Sequence, residues 1–355
     1  MVENKKISVS FVGDISFNDA YIEYYQNGIN PFVNIQPLLR SKDYVIGNLE
    51  CMAKGEEGEN LLRKPRLTTT VETLNYLNML NVNVVSLAQN HVYDHLKDGF
   101  VKTTSFLKDN NISYLGASLT KTDVEKPLII SKEGINIGLL NYVTQDTNPN
   151  LPIAAEVYLN FFTIEKVIHE VKELKKKVDH VVLLLHWGGR VEGGAFPDFD
   201  QPELAKKLVD AGADLIIGHH SHTLQPFEIY KNKYIFYSLG NFCFSDYVFD
   251  GKTNPIPDSQ NISTIVSVFF QKTTYKIDFN FFINQKTSFS ELNYLSKLKR
   301  RNSYLKILFK YNYLWRSYFF YKRRMLPFVI FMKRKDLKIS EKINRLFYSF
   351  KKRLN

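Results

Sequence analysis

Apolar and polar positions alternate along the first two thirds of the chain in one recurring theme. Short apolar runs, rich in β-branched residues, occur at 7–13, 44–49, 82–88, 135–143, 181–185, 215–218 and 234–239. Between them lie stretches with helical periodicity at 71–80, 96–109, 164–177 and 201–211. In the last of these Leu204, Leu208 and Ala211 share one face while Lys206, Lys207 and Asp210 point away. Continuous apolar strands alternating with helices predict sheets covered on both faces. Residues 262–283 read instead as two strands with no helix between them, ISTIVSVFF and TYKIDFNFFI, and predict an antiparallel edge.

The pattern changes near 285–292. Beyond Glu291 there is no glycine, one proline (Pro327), and 15 aromatic residues among 65. The reading is an α/β domain over 1–290 followed by a basic, aromatic-rich helical tail over 291–355. In residues 302–332 Tyr, Trp and Phe are interleaved with Lys and Arg. At 339–354 Ile343, Leu346, Phe347 and Phe350 share a face ringed by Lys342, Arg345, Lys351 and Lys352. Such helices suit a membrane interface, with Trp315, Tyr318, Phe319, Phe320, Phe328 and Phe331 as the inserting rings.

Charge sharpens the division. The chain carries 47 Lys and Arg against 36 Asp and Glu, a net +11. The tail holds 19 bases and 3 acids, or +16, which leaves −5 for residues 1–290. A mildly acidic body with a strongly basic tail points to an anionic membrane surface as the tail's partner. No nucleic-acid partner is expected, because no recognised nucleic-acid motif accompanies the basic residues. At 355 residues and 44% hydrophobic the chain has ample material for a core, which excludes a disordered protein. Two cysteines, Cys51 and Cys243, cannot build a disulfide framework, and strand alternation places Cys51 on the face opposite Glu50. Met1 to Lys6 is polar and no apolar stretch reaches 18 residues, so neither a signal peptide nor a spanning helix is read. The expected location is cytoplasmic, peripheral on the inner membrane face.

Chemistry gathers where the apolar runs stop. Asp14 follows SVSFVG; Asn48 and Glu50 close DYVIGNLE; Asn90 and His91 follow VVSLAQ, with Asp94 one turn on. His186 ends VVLLLH, and His219, His220 and His222 follow DLIIG. Ligands of α/β sheets bind in the crevice beyond the strand C-termini. Five strands that each deliver a carboxylate, amide or imidazole to that edge predict a site. Imidazole with carboxylate and amide oxygen suits zinc, manganese or iron, and donors from several strands predict one or two divalent ions. The basic loop Arg63-Lys64-Pro65-Arg66 is either a solvated charge run or a reach toward an anionic substrate.

On these motifs the sequence resembles the CapA family, the poly-γ-glutamate capsule synthesis proteins, whose fold is similar to calcineurin-like metallophosphoesterases. The matching segments are GDISF at 13–17, NLE at 48–50, QNHVYD at 89–94, HWG at 186–188 and the long GADLIIGHHSHTLQPFEIYKNKYIFYSLGNFCFSD at 212–246. The resemblance implies an αββα sandwich of two mixed sheets. It implies metal ligands at Asp14, Glu50, Asn90, His186, His220 and His222, with Glu50 where such enzymes bridge two metals by an Asp. His91 would be the catalytic histidine, oriented by Asp94. Asn48, Arg190, Glu192, His219 and Asn241 are the further candidates for substrate contact or support of the ligands. The implied role is metal-dependent phosphoester-type hydrolysis in capsule or other cell-surface polymer synthesis. The alternative is a non-catalytic, metal-stabilised accessory subunit of a membrane polymer synthase. Five positions depart from the pattern: Ser16 replaces a usual histidine ligand, Gln89 an asparagine, Leu96 a glycine, Arg190 an acid, and Ser221 a proline.

Overall fold

The computed structural model describes residues 5–333, apart from 149–150, 191 and 250. The helical face read at 339–354 lies outside the described residues. The chain divides into two compact units, Met1–Leu305 and Lys306–Asn355.

The first unit is built on two sheets. Four parallel strands, Ile7–Ile15, Tyr44–Leu49, Val84–Ser86 and Ser113–Leu115, form one half of the larger sheet. Strand Ile262–Phe270 joins the other side of Ile7–Ile15 antiparallel, followed outward by Tyr275–Asn284 and Phe289–Glu291. The antiparallel pair read at 262–283 is therefore present, but the outermost strand is Phe289–Glu291. The second sheet runs Phe227–Tyr230, Lys233–Phe236, Leu215–His219, His180–His186, Ile135–Val143, Leu128–Lys132. Its four central strands are parallel and its two edge strands antiparallel.

Strand alternation explains the layering. Val9, Phe11, Ile46 and Val84 of the first sheet meet Leu139, Val182, Leu184 and Ile217 of the second in one buried cluster between the sheets. On the outer face of the first sheet Val12, Val45, Leu49 and Val85 pack with Phe100 and Leu107 of helix Leu96–Asp109. Helices Ile164–Lys175 and Gln201–Ala211 follow the strands of the second sheet; Leu174 sits where a Cβ on Gly138 would be, 2.7 Å from its Cδ2. The result is the αββα sandwich expected. The helix read at 71–80 is a 3-10 turn, Thr73–Asn75, running into the short helix Tyr76–Met79.

The first unit extends past the compositional break. Tyr294 and Leu298 are buried with Leu224 and Phe281. Arg301 donates to the Leu224 carbonyl at 2.8 Å, and Asn302 Oδ1 accepts from the Phe227 amide at 3.1 Å. The opening turns of helix Leu295–Lys310 thus complete the body, and the boundary read near 285–292 falls inside the first unit. Within the second unit helix Asn312–Phe320 passes through a π-helical turn, Tyr321–Met325, into helix Leu326–Lys333. Phe320, Tyr321 and Phe328 are exposed. Trp315, expected among the inserting rings, is buried at 3% exposure, with its ring centroid 6.0 Å from that of Phe309. Among the described residues no helix is long and apolar enough to cross a membrane.

Candidate metal centre

The strands Ile7–Ile15, Tyr44–Leu49 and Val84–Ser86 run parallel in one sheet, and His180–His186 and Leu215–His219 run parallel in the other. Their C-terminal ends therefore open on one edge of the sandwich. Two glycines allow the chain to close there. A Cβ on Gly13 would lie 1.9 Å from the Gly240 carbonyl oxygen, and one on Gly218 would lie 2.0 Å from that of Tyr237. Strand Asn241–Cys243 consequently lies alongside Asp14, with Asn241 in register with it.

Two donor groups meet at this edge. Asp14, Glu50 and His222, all buried, each offer a ligand atom, and these atoms lie within 4.8 Å of one another. Beside them His186 Nε2 is 3.1 Å from Asn90 Oδ1 and 3.1 Å from His220 Nδ1. Glu50 stands between the two groups, its Oε2 3.8 Å from His222 Nε2 and its Oε1 3.5 Å from His186 Nδ1. Asn48 Nδ2 spans the same gap, 3.0 Å from Asp14 Oδ1, 3.0 Å from Glu50 Oε1 and 3.3 Å from His186 Nδ1. The loop after Leu215–His219 adopts unusual backbone to do this: His220 has φ 91° and His222 φ 56°. Side-chain residues pay roughly 1–3 kcal/mol for such positions, which persist where the surroundings over-determine them.

These residues fit a divalent cation. Glu50 Oε2 is buried and accepts no hydrogen bond, which is costly for a carboxylate oxygen unless something positive completes it. Burial and the neighbouring Asp14 charge push Glu50 well above the usual carboxylate range. Burial would raise Asp14 too, but hydrogen bonds from His219 and His222 hold it well below that range. Burial would lower His222, but Glu50 and Asp14 carry it up to about 10. A field that holds a proton so firmly also favours a cation. Burial, with His220 opposite, holds His186 well below its ordinary value, and burial brings His220 down to about 4. Both imidazoles are thus neutral, the protonation state in which a ring nitrogen can bind a metal. The mixed nitrogen and oxygen set suits the borderline metals read from the sequence.

The remaining predicted residues divide. His91 Nδ1 is 2.7 Å from Asp94 Oδ2, which also accepts from the Leu67 amide at 2.7 Å. His219 Nδ1 lies 3.1 Å from Asp14 Oδ1. Glu192, largely exposed, has its carboxylate 3.6 Å from His222 Nε2. Arg190 is drawn elsewhere: its Nη1 is 2.7 Å from Asp200 and 3.6 Å from Asp198, and its guanidinium lies 4.7 Å over the Phe199 ring. Ser16, at the position where the family resemblance implies a histidine, donates its hydroxyl to Asn18 Oδ1 at 2.8 Å.

The sequence showed Gln89 only as a departure from the family pattern, left the basic loop open between two roles, and gave no signal for Phe244. Gln89 accepts from the His91 amide and donates to the Leu49 carbonyl at 3.0 Å, tying the histidine to the neighbouring strand. Phe244 packs its ring edge-on to His222, centroids 5.1 Å apart. The basic loop splits: Arg66 pairs with Glu59 at 2.5 Å, whereas Arg63 Nη2 lies 3.2 Å from His91 Nε2.

Residues 8–246 match the family model described as bacterial capsule synthesis protein PGA_cap. The chain belongs to this family. It is 32% identical over 257 residues to the capsule biosynthesis protein CapA of Bacillus anthracis, covering 68% of this chain and 61% of that protein. The PGA biosynthesis protein CapA of Bacillus subtilis is 32% identical over 252 residues, covering 67% and 63%. The aligned region thus spans about three-fifths of each of these relatives. A polyglutamine synthesis accessory protein, named as probable, of Mycobacterium tuberculosis is 24% identical over 177 residues, 46% of each chain. A solved Staphylococcus aureus structure, assigned as a 5′-nucleotidase and complexed with α-ketoglutarate, superposes with a TM-score of 0.50 at 12% identity. It covers 84% of this chain and 58% of that one, and places the capsule synthesis body in the metallophosphoesterase fold.

Proposed function

We propose that this capsule synthesis protein is a metal-dependent hydrolase or transferase acting on a phosphoester or related bond during assembly of a cell-surface polymer. One observation carries the reading: Asp14, Glu50 and His222 bring ligand atoms within 4.8 Å of one another, with Glu50 Oε2 buried and unpartnered among them. Asp14, Glu50 and His222 would hold one divalent ion. Asn90, His186 and His220, with Glu50 between the groups, would help hold a second. Bound there, such ions polarise a phosphoryl oxygen and lower the pKa of a water.

The protein's own groups supply the rest. Asn48 and Asn241 orient the ligands through hydrogen bonds. Asp94 accepts from His91 Nδ1, which leaves Nε2 as the working nitrogen. Burial and the Arg63 charge hold His91 well below its ordinary value, so it is neutral at rest; its Nε2 takes a proton from water and gives it to the leaving oxygen as negative charge develops there. A cleft of about 400 Å³, lined by Arg63, His91, His222 and Asn241 among others, gives the substrate its approach.

A second reading, a metal-stabilised accessory subunit of a membrane synthase, is favoured by Ser16, which removes one usual ligand and is engaged with Asn18. The name of the Mycobacterium tuberculosis relative points the same way. Metal analysis of the purified protein with turnover of a generic aryl phosphate separates the two. Bound metal with turnover supports the hydrolase. Bound metal without turnover, together with co-purification of a membrane synthase, supports the accessory subunit. Metal content unchanged in both His186→Ala and His222→Ala overturns the ligand set itself.

A further inference from the structure

Arg63 sits at the mouth of the centre in an unusual electrostatic position. Its neighbour Arg66 is neutralised by Glu59 at 2.5 Å, and Arg190 by Asp200 at 2.7 Å. Arg63 makes no ion pair of that kind among the described residues; its Nη2 lies against the imidazole of His91, 3.2 Å from Nε2. Its Nε is buried and has no hydrogen-bond partner. Asn241 Nδ2, lining the same cleft, is likewise buried without an acceptor. Lys64 adds a further positive charge to that wall, while Tyr247, Pro255 and Ile256 form an apolar face. A buried guanidinium N–H without an acceptor is costly, and a planar fork of donors is the side chain best matched to a carboxylate or phosphate.

The partner Arg63 does have is informative. A guanidinium only donates, so His91 Nε2 must present its lone pair to it, and His91 Nδ1–H must face Asp94, as the 2.7 Å contact shows. His91 Nε2 is also the atom that faces the substrate in the proposed reaction. The Arg63 N–H and the proton that His91 must carry to the leaving group therefore compete for one lone pair.

We propose that Arg63 recognises a second negatively charged group of the substrate, a carboxylate or phosphate on the leaving-group side, and that this group draws Arg63 off His91 Nε2. The inference rests on the phosphoester reading above and adds a substrate class to it: phosphoesters carrying a further anion beyond the scissile bond. Arg63 is then a positioning residue for His91 and a specificity residue for the substrate. A phosphoester without the second anion, such as an aryl phosphate, leaves the guanidinium on His91 part of the time and is turned over more slowly but measurably.

The test uses the metal-loaded protein and calorimetry with methylphosphonate, phosphonoacetate and methylenediphosphonate. The last two add a carboxylate and a phosphate-like group, respectively. The wild type should bind at least one of them more tightly than methylphosphonate by about 10- to 100-fold, the range of a charge-assisted hydrogen bond. Arg63→Met should erase that gain and leave methylphosphonate affinity and metal content unchanged, and Arg63→Lys should restore part of it. Whichever ligand shows the larger Arg63-dependent gain identifies the second group. The His91 Nε2 nitrogen resonance should shift when the favoured probe is added to wild type, and should already be shifted in Arg63→Met. Equal affinity of wild type for all three probes, with aryl phosphate turnover intact, overturns this inference alone. An equal loss of all three probes in Arg63→Met also overturns it, because Arg63 would then hold the reacting group. Metal-loaded protein that neither binds the probes nor turns over aryl phosphates overturns this inference and the phosphoester reading together.

Discussion

His222 Nδ1 lies 2.9 Å from Asn241 Oδ1. An amide oxygen only accepts, so this contact puts a proton on Nδ1 and turns Nε2 toward Glu50, 3.8 Å away, where a bound metal would replace the second ring proton. Asn241 reaches that position because its strand lies in register beside Asp14. Hydrogen bonds of this kind to ligating imidazoles typically support about 10- to 100-fold in metal affinity. Asn241→Ala should therefore weaken metal binding by that factor, with the fold intact. Competitive titration against a chelating dye measures it. An unchanged affinity would show that His222 holds its orientation without Asn241, through Asp14 and the packing of Phe244.

His91 should contribute to turnover more than to metal retention. Its Nδ1 is engaged by Asp94 at 2.7 Å and its Nε2 faces the cleft, so neither nitrogen is committed to the ligand group. General acid–base groups contribute roughly 10²–10⁴-fold. His91→Asn should keep its metal and lose most activity by about that factor, as seen by metal analysis beside steady-state kinetics. Loss of metal in this variant would make His91 a ligand instead.

Much of this centre is legible in the sequence because ligands that end apolar strands are local signals. A run such as VVLLLH places His186 at a sheet edge whatever the rest of the chain does. Family substitutions are also readable once the backbone is known. Leu96 stands where a glycine is usual, and its φ is 55°, in the left-handed region that glycine tolerates without cost. What the sequence hides is convergence from distant loops. Arg63 and Arg190 look alike as loop cations, yet one meets His91 and the other is captured by Asp200. The end of the body is hidden for the same reason: Tyr294 and Leu298 carry the aromatic and basic composition of the tail but fill a gap beside Leu224 and Phe281.

Away from the centre, Asp214 ties the second sheet to its covering helix. Its carboxylate is 2.6 Å from Lys175 Nζ and 2.7 Å from Lys233 Nζ, and it accepts from the Val181 amide at 2.9 Å. Burial would raise it, but these three donors hold it below the usual carboxylate range. A carboxylate lowered on folding adds stability above its unfolded value of about 3.9 and loses it as the pH falls through the folded value. Asp214→Asn should cost about 2 kcal/mol at pH 7, and the gap to wild type should shrink toward pH 3. Urea unfolding of both proteins at the two pH values checks this; a gap independent of pH would assign the cost to packing instead.

The tail sets up a prediction that depends on where the body ends. The stretch 291–355 carries 19 Lys and Arg against 3 acids, and Phe320, Tyr321 and Phe328 are exposed. Basic residues near an anionic surface contribute on the order of 1 kcal/mol each with diminishing returns, and exposed rings add an apolar term that salt does not screen. The intact protein should therefore bind vesicles containing phosphatidylserine more strongly than neutral ones, and high salt should weaken that binding without abolishing it. The cut that removes the tail cleanly is after Leu305, because Tyr294, Leu298, Arg301 and Asn302 all contribute to the body. A chain ending at Leu305 should stay monodisperse, keep its metal and lose vesicle binding. A chain ending at Glu291 should melt at lower temperature, because it uncovers Leu224 and Phe281. Equal binding of the intact protein to neutral and anionic vesicles would remove charge from the explanation. Aggregation of the chain ending at Leu305 would show that the tail's aromatic residues cover the body rather than a membrane.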